Sequence, residues 1–444
     1  MNIQAQELNS TIQDINPAVF DMLSERGKSI FFPKKGILGQ SAEAKGTAIN
    51  ATIGSAIEDD NSPMRLKSIS KNINLDASQA FPYAPSFGRP DIRARWREMI
   101  FQKNPALRNS SISLPIVTNA LTHGISMAGY LFVNPDEEIL VPSLFWGNYN
   151  LSFINAYDAK LKHYNLFNGN SLDIAAMSAE LMSAGEKKIL LLNFPNNPTG
   201  YSPNIDEMKE IILAVEIAAK AGKKIVVICD DAYFGLVFEK GIETQSPFAW
   251  LANLHENVLA VKVDGPTKED YVWGFRVGFI TYGIKGGTEA LYNALENKTA
   301  GAIRGNISNT SNLSQSLLLE AFNSPTYQEE KKEKFNILKS RYETVRQTLK
   351  NPDYAEFFKA MPYNAGYFMC IELKDGLDTD LVRKLLIEKY SIGTISLNNL
   401  LRIAYSAVAA KDIPTLFDGI YSACKELAVY DLTTMKKDGV TITY

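Results

Sequence analysis

Residues 187–201 read KKILLLNFPNNPTGY. An apolar run of strand character passes directly into two prolines, two adjacent asparagines and a glycine. Asn, Pro and Gly are turn formers, so one reading is an ordinary loop. The other is a bend that presents an asparagine amide to a ligand. The flanking sequence bears on the choice. Similar runs recur at 137–142 (EEILVP), 223–233 (KKIVVICDDAY), 257–265 (NVLAVKVDG) and 275–283 (FRVGFITYG). They are rich in Val, Ile and Leu without strict alternation, which is the signature of strands covered on both faces. Between 194 and 223 a helix is expected over about 204–221. Asn204 serves as N-cap, Met208, Ile211, Ile212, Val215 and Ala219 form one apolar face, and Gly222 stands at the stop. Strands alternating with helices predict an α/β fold: a mostly parallel sheet with helices on both sides.

The C-terminal third has a different pattern. A charged helix is expected around 327–350, then strands at 366–373 (GYFMCIEL) and 399–406 (NLLRIAYS) with a helix near 378–389 between them. This reads as a smaller α+β domain, with the long helix as the hinge. Weak helical signals in the first 75 or so residues are expected to pack against it. The expected division is a large domain over 76–325 and a small one made of 1–75 and 326–444.

Composition narrows the function. The chain has 444 residues, 45% apolar and 21% charged, with a net charge of −3. That balance fits a soluble globular protein and argues against a nucleic-acid partner or an acidic membrane surface. No run is long enough to span a bilayer, and the N-terminus lacks a signal-peptide core. Cys229, Cys370 and Cys424 are odd in number and widely spaced, with no zinc or disulfide pattern, so a reducing cytoplasm is expected. No GxGxxG, GxxxxGK[ST] or HExxH motif is present. His123, His163 and His255 are isolated, which disfavours a histidine triad or a metal site.

In open α/β sheets ligands bind beyond the carboxyl ends of the strands. There the sequence places Trp146 (in PSLFWGNY), Asn197, Asp230 and Tyr233 (in CDDAY), Lys268 (in DGPTK) and, in a nearby turn, Arg276. Singly each has an ordinary structural explanation, as core, cap or solvated charge. Together they suit a flat aromatic cofactor with a phosphate, an acidic partner for a ring nitrogen and a reactive lysine, a description that fits pyridoxal phosphate.

At these residues the sequence resembles the fold-type I pyridoxal-phosphate aminotransferases of class I/II, typified by aspartate aminotransferases. The resemblance spans roughly 50–406. In GPTKEDYVWGFRVG (265–278), Lys268 is followed by Gly274, Arg276 and Gly278 at the family's spacing. NNPTG matches its NPTG turn and DDAY its Asp-x-Ala-Tyr strand end. The resemblance implies that Lys268 holds the cofactor as a Schiff base and shuttles the substrate proton. It implies that Asp230 pairs with the pyridine nitrogen, that Asn197 and Tyr233 hydrogen-bond the phenolic oxygen, and that Trp146 stacks on the ring. Arg276 then clamps the phosphate in a cup formed by Ala120, Leu121 and Thr122. Thr267 takes over a phosphate contact because Gly265 stands where a serine is common. Tyr83, in YAPSFG, reaches the phosphate in the neighbouring subunit of a homodimer. Gly54 lines the substrate pocket, Arg402 grips the α-carboxylate, and Arg304, followed by Ser308-Asn309, binds a distal carboxylate across the interface. The family's turn usually has a cis bond at the position of Asn197–Pro198. Pro266 and Tyr271 depart from the family pattern.

The expected activity is therefore a ping-pong aminotransferase acting on an amino acid, with a dicarboxylic one expected from Arg304, and a 2-oxo acid. Two alternatives stay open. One is a different reaction on the same fold: a decarboxylase, β-lyase or synthase. The other is a ligand-responsive regulator, although no basic DNA-binding extension is seen.

Overall fold

The computed structural model describes residues 1–32, 36–71 and 73–437. Positions 33–35, 72 and 438–444, which the division above assigns to the smaller domain, lie outside the described residues. Seven strands make the main sheet: β1 (Ile116–Thr118), β2 (Glu138–Pro142), β3 (Lys160–Tyr164), β4 (Lys187–Asn193), β5 (Lys224–Asp230), β6 (Val258–Asp264) and β7 (Gly278–Gly283). Their spatial order is β1-β7-β6-β5-β4-β2-β3. Only β7 runs against its neighbours; the other pairings are parallel. Apart from the first lysine of each, every residue of β4 and β5 is buried, as two-sided coverage requires.

The helix after β4 spans Ile205–Lys220. Asn204 caps it, accepting from the N–H groups of Asp206 and Glu207, while the Glu207 carboxylate accepts from Asn204 N. This reciprocal box satisfies N–H groups that would otherwise be orphaned at the helix start, and its cap alone contributes about 1 kcal/mol.

Four expected strands are shorter than their apolar runs by three residues or more: 366–373 and 399–406 reduce to Met369–Leu373 and Leu400–Ile403, and the other two lie in the main sheet. β7 begins at Gly278 rather than 275, because residues 273–275 form a 3-10 turn and Arg276 is left-handed at φ 54°. β5 ends at Asp230; Asp231 N still donates to Val263 O at 3.0 Å, and 232–235 turn. The second sheet is antiparallel, with Phe358–Ala360, Met369–Leu373, Leu400–Ile403 and Ile395–Leu397 in that order. The long helix covers Tyr327–Thr348. The helix expected near 378–389 is regular over Thr379–Leu385 and then widens into a π turn, Leu386–Tyr390.

The N-terminal region divides. Ile49–Asn50 pairs in parallel with Ile392–Gly393 beside the second sheet. Residues 26–29 instead contact the main-sheet layer: Arg26 pairs with Asp158 at 3.0 Å and Asn155 donates to Ser29 O at 3.0 Å. The sequence expectation put residues 1–75 on the smaller domain; both side chains of the Arg26–Asp158 pair are more than half exposed, so that contact is a weak tether. Among the described residues no helix is long and apolar enough to cross a membrane.

Candidate active site

The carboxyl ends of β4, β5 and β6 open into a cavity of about 1330 Å³. Its lining includes Gly54, Leu121, Thr122, Trp146, Asn197, Asp230, Tyr233, Thr267, Lys268, Arg276 and Arg402. Ala120 stands just behind the wall. Tyr83 and Arg304 do not line this cavity in the single chain. Tyr83 is 90% exposed, and exposed Arg304 donates to Ser308 Oγ at 2.8 Å.

Asp230 ends β5 and is 2% exposed. One carboxylate oxygen accepts from the Tyr149 hydroxyl and the other from Ala232 N. Burial pushes its pKa up, opposed by the Tyr149 hydrogen bond and by the charge of Lys268. Lys268, on the short helix Pro266–Glu269 after β6, has no hydrogen-bond partner for its amine among the described residues. The amine sits 5.1 Å from the Tyr233 ring centroid. Burial lowers its pKa to about 8; Asp230 works against that and Arg276 adds to it. An amine with such a value is a usable base near neutral pH.

The NNPTG turn holds Asn197 by its backbone, whose N–H donates to Asn193 Oδ1 at 2.8 Å, and Asn197–Pro198 is cis. Gly200 is obligatory here. It is left-handed at φ 71°, and a Cβ would lie 1.9 Å from Phe368 O. The Asn197 side-chain oxygen accepts from Arg402 Nη1 at 3.3 Å, and Arg402 Nη2 donates to Thr52 O at 2.9 Å. The Arg402 guanidinium lies 4.3 Å from the Phe368 ring centroid, and its Nε is buried without a partner.

The opposite end of the cavity is a backbone cradle. The helix Ala120–Phe132 starts with Ala120 at φ 63° and no side-chain cap, so its first N–H groups are free for an anion. Gly278 packs beneath it: a Cβ there would meet Ala120 C at 2.7 Å. A Cβ on Gly265 would in turn meet Gly278 Cα at 2.8 Å. Close approach of three backbone segments thus explains both glycines. Gly274 has no neighbour that a Cβ would meet, so its place in the spacing has no steric explanation here. Thr267 Oγ1 is buried with no hydrogen-bond partner among the described residues, and Thr267 lines the cavity. A buried orphan hydroxyl, a free amine and a row of uncapped N–H groups fit a phosphate-bearing aldehyde.

Tyr149 and Thr52 were not identified from sequence. Tyr149 lies three residues after Trp146 and is fully buried, with its ring edge-on to the indole at 5.5 Å. Trp273 also lines the cavity, with its indole N–H buried and without a partner among the described residues. Asp231 faces away from the cavity, as alternation along a strand demands, and pairs with buried Lys262.

The family described as aminotransferase class I and II matches residues 52–420. An aspartate aminotransferase of Bacillus sp. (strain YM-2) is 23% identical over 70% of this chain and 73% of its own. Human tyrosine aminotransferase is 24% identical over 46% of this chain, and the match spans only 42% of that enzyme. Among solved structures, an aminotransferase from Anaerococcus prevotii superposes with a TM-score of 0.80 at 24% identity, covering 91% of this chain and 99% of that one. The cytoplasmic aspartate aminotransferase of Saccharomyces cerevisiae gives 0.72 at 18% identity, covering 93% and 100%.

Proposed function

Because this chain belongs to the class I and II aminotransferase family, it is an enzyme of amino-group transfer, and we propose that it works with pyridoxal phosphate anchored on Lys268. The observation that carries this reading is the convergence of an unpartnered Lys268 amine, buried Asp230 and buried Arg402 in one cavity. When bound, the cofactor supplies the conjugated ring that accepts the electron pair left at the substrate Cα. Lys268 Nζ would carry the proton from that carbon to the cofactor's C4′ carbon in one half-reaction and back in the other. Asp230 keeps the ring nitrogen protonated. Asn197 and Tyr233 orient the ring through its phenolic oxygen, and Trp146 covers one face. Thr267, Arg276 and the N–H groups of Ala120, Leu121 and Thr122 hold the phosphate. Arg402, already fixed by Thr52 O and Asn197, takes the α-carboxylate beside Gly54.

Two half-reactions in turn, amino acid in and 2-oxo acid out and then the reverse, make the cycle ping-pong. The test is a single-turnover screen of individual amino acids. The expected result is a shift of cofactor absorbance to the amine form with stoichiometric release of a 2-oxo acid. Carbon dioxide with an amine product would replace transamination by decarboxylation, and ammonia together with a 2-oxo acid that has lost its β-substituent, the cofactor keeping its aldehyde form, would replace it by elimination.

The assembly follows from Tyr83. A tyrosine 90% exposed, with Phe81 at 87% beside it in sequence, is costly to leave in water. We place it against the phosphate of a second copy in an isologous dimer, the commonest arrangement. Sedimentation should show a dimer at working concentration. A fully active monomer would refute it.

The same interface carries a specificity prediction. Arg304 of one protomer, presented by the helix Glu289–Asn306, is proposed to meet the distal carboxylate of a substrate in the other. A hydrogen bond to a charged group contributes about 1.5–3 kcal/mol, or roughly 10- to 100-fold. Aspartate or glutamate should exceed alanine and leucine in kcat/KM by that factor, and Arg304→Ala should erase the difference while binding through Arg402 persists. Efficient turnover of apolar amino acids with neglect of both dicarboxylates would sink this prediction and leave the aminotransferase standing.

A further inference from the structure

Immediately after Lys268 come two buried acids, Glu269 at 8% exposure and Asp270 at 0%. Neither faces the cavity. Lys103 Nζ contacts both Glu269 oxygens at 2.8 and 3.0 Å. Lys331, from the long helix, reaches Glu269 Oε1 at 2.7 Å and Asp270 Oδ1 at 3.1 Å. Tyr327, one turn earlier on that helix, donates to Asp270 Oδ1 at 2.7 Å. Two cations and two anions are thus enclosed together. Burial pushes Glu269 up, but the two ammonium groups outweigh it and hold the carboxyl well below its usual value. Such a cluster is costly to desolvate, and an apolar contact would close the same space more cheaply. Its distinguishing property is geometric: it fixes two consecutive residues at one place.

The helix face that makes these contacts continues. At spacings of three and four, Tyr327, Lys331, Lys334, Leu338 and Arg341 form one stripe. Lys334 pairs with Glu58 at 2.8 Å. Fully buried Arg341 donates to Ile57 O at 2.7 Å, to Asp59 at 2.9 Å and to Ser406 O. One rigid face therefore grips the segment after Lys268, the segment after Gly54 and the segment after Arg402. The Lys268 carbonyl is fixed separately, accepting from Tyr367 OH at 2.9 Å.

We propose that Lys331 is a positioning residue for Lys268: through Glu269 and Asp270 it locks the lysine-bearing turn onto the helix that also sets the α-carboxylate end of the site. This rests on the reading that Lys268 carries the cofactor. A displacement near 1 Å at a reacting group costs about 10²-fold in rate. Lys331→Met keeps the stem and removes the charge. Per cofactor-loaded site, kcat should fall about 10- to 100-fold with the amino-acid KM within about twofold. Borohydride should trap a smaller fraction of the bound cofactor on Lys268. Lys331→Arg should recover most of both. Lys331→Met with wild-type kcat and trapped fraction overturns the proposal. If Lys331→Met does not fold, Tyr327→Phe decides: it removes the hydrogen bond to Asp270 and the longer one from Lys331 Nζ at 3.4 Å, should lower kcat and the trapped fraction together, and overturns the proposal if both are unchanged. Failure of the underlying reading looks different, since wild-type protein would then give no cofactor-labelled Lys268 peptide.

Discussion

A Lys268→Ala variant is expected to fold, to bind pyridoxal phosphate without a covalent link, and to lose turnover by at least ~10²–10⁴-fold, the usual worth of a positioned acid–base group. Folding is expected because the Lys268 amine makes no hydrogen bond among the described residues, and removing it relieves an unpaired cation in a desolvated place. The cavity walls that hold the phosphate and ring belong to other residues. The chemistry should fail because, among the described residues, the cavity lining holds one other lysine, Lys160, and that one is paired with Asp136 at 2.8 Å. The pH dependence has a definite sign. Covalent attachment to the wild-type apo enzyme requires the neutral amine, and burial lowers the Lys268 pKa to about 8. The attachment rate should therefore be flat above about pH 8 and fall tenfold per unit below it. Borohydride reduction followed by peptide mapping checks the assignment, and cofactor found on any other lysine would refute it.

The sequence was most legible where one residue's role depends on its own chain segment. β4 and β5 are continuous apolar runs, and two-sided burial leaves no other reading of KKILLLN and KIVVICD. β3 was missed because KLKHY is an edge strand with its lysines and histidine partly or fully exposed. It carries no apolar run, and edge strands favour charge for that reason. β1 was missed because IVT is too short to stand out. The same division holds in the site. Residues at strand ends were found because strand ends could be located. Tyr149, Thr52 and Lys331 were not, since each acts through a contact with a residue far away in sequence: Asp230, Arg402 and Glu269. Gly278 and Gly265 were visible only as spacing. Their cause, the packing of both against each other and against Ala120, needed three dimensions.

Asp230→Ala should be nearly as damaging, by a different route. In the proposed site this carboxylate must be ionised to hold a proton on the ring nitrogen. Its burial works against ionisation, and the Tyr149 hydroxyl and Lys268 work for it. Removing one partner of a buried charged pair costs roughly 3–5 kcal/mol, which at ~1.4 kcal/mol per decade is about 10²–10⁴-fold in rate. Asp230→Asn separates charge from shape, because it keeps a partner for Tyr149 and loses only the negative charge; it should fall within tenfold of the alanine variant. The neighbouring acid supplies the contrast. Asp231 pairs with Lys262, which also lies 3.3 Å from Asp264 on the side of the sheet away from the cavity. Asp231→Ala should lower stability to denaturant, but by less than the roughly 3–5 kcal/mol of a wholly orphaned buried charge, because Lys262 keeps Asp264. Its turnover per folded, cofactor-loaded site should stay within tenfold of wild type. Adjacent aspartates on opposite faces of one strand end thus divide into chemistry and scaffold. Near-normal turnover in Asp230→Ala, with the cofactor bound and the chain folded, would remove Asp230 from the chemistry.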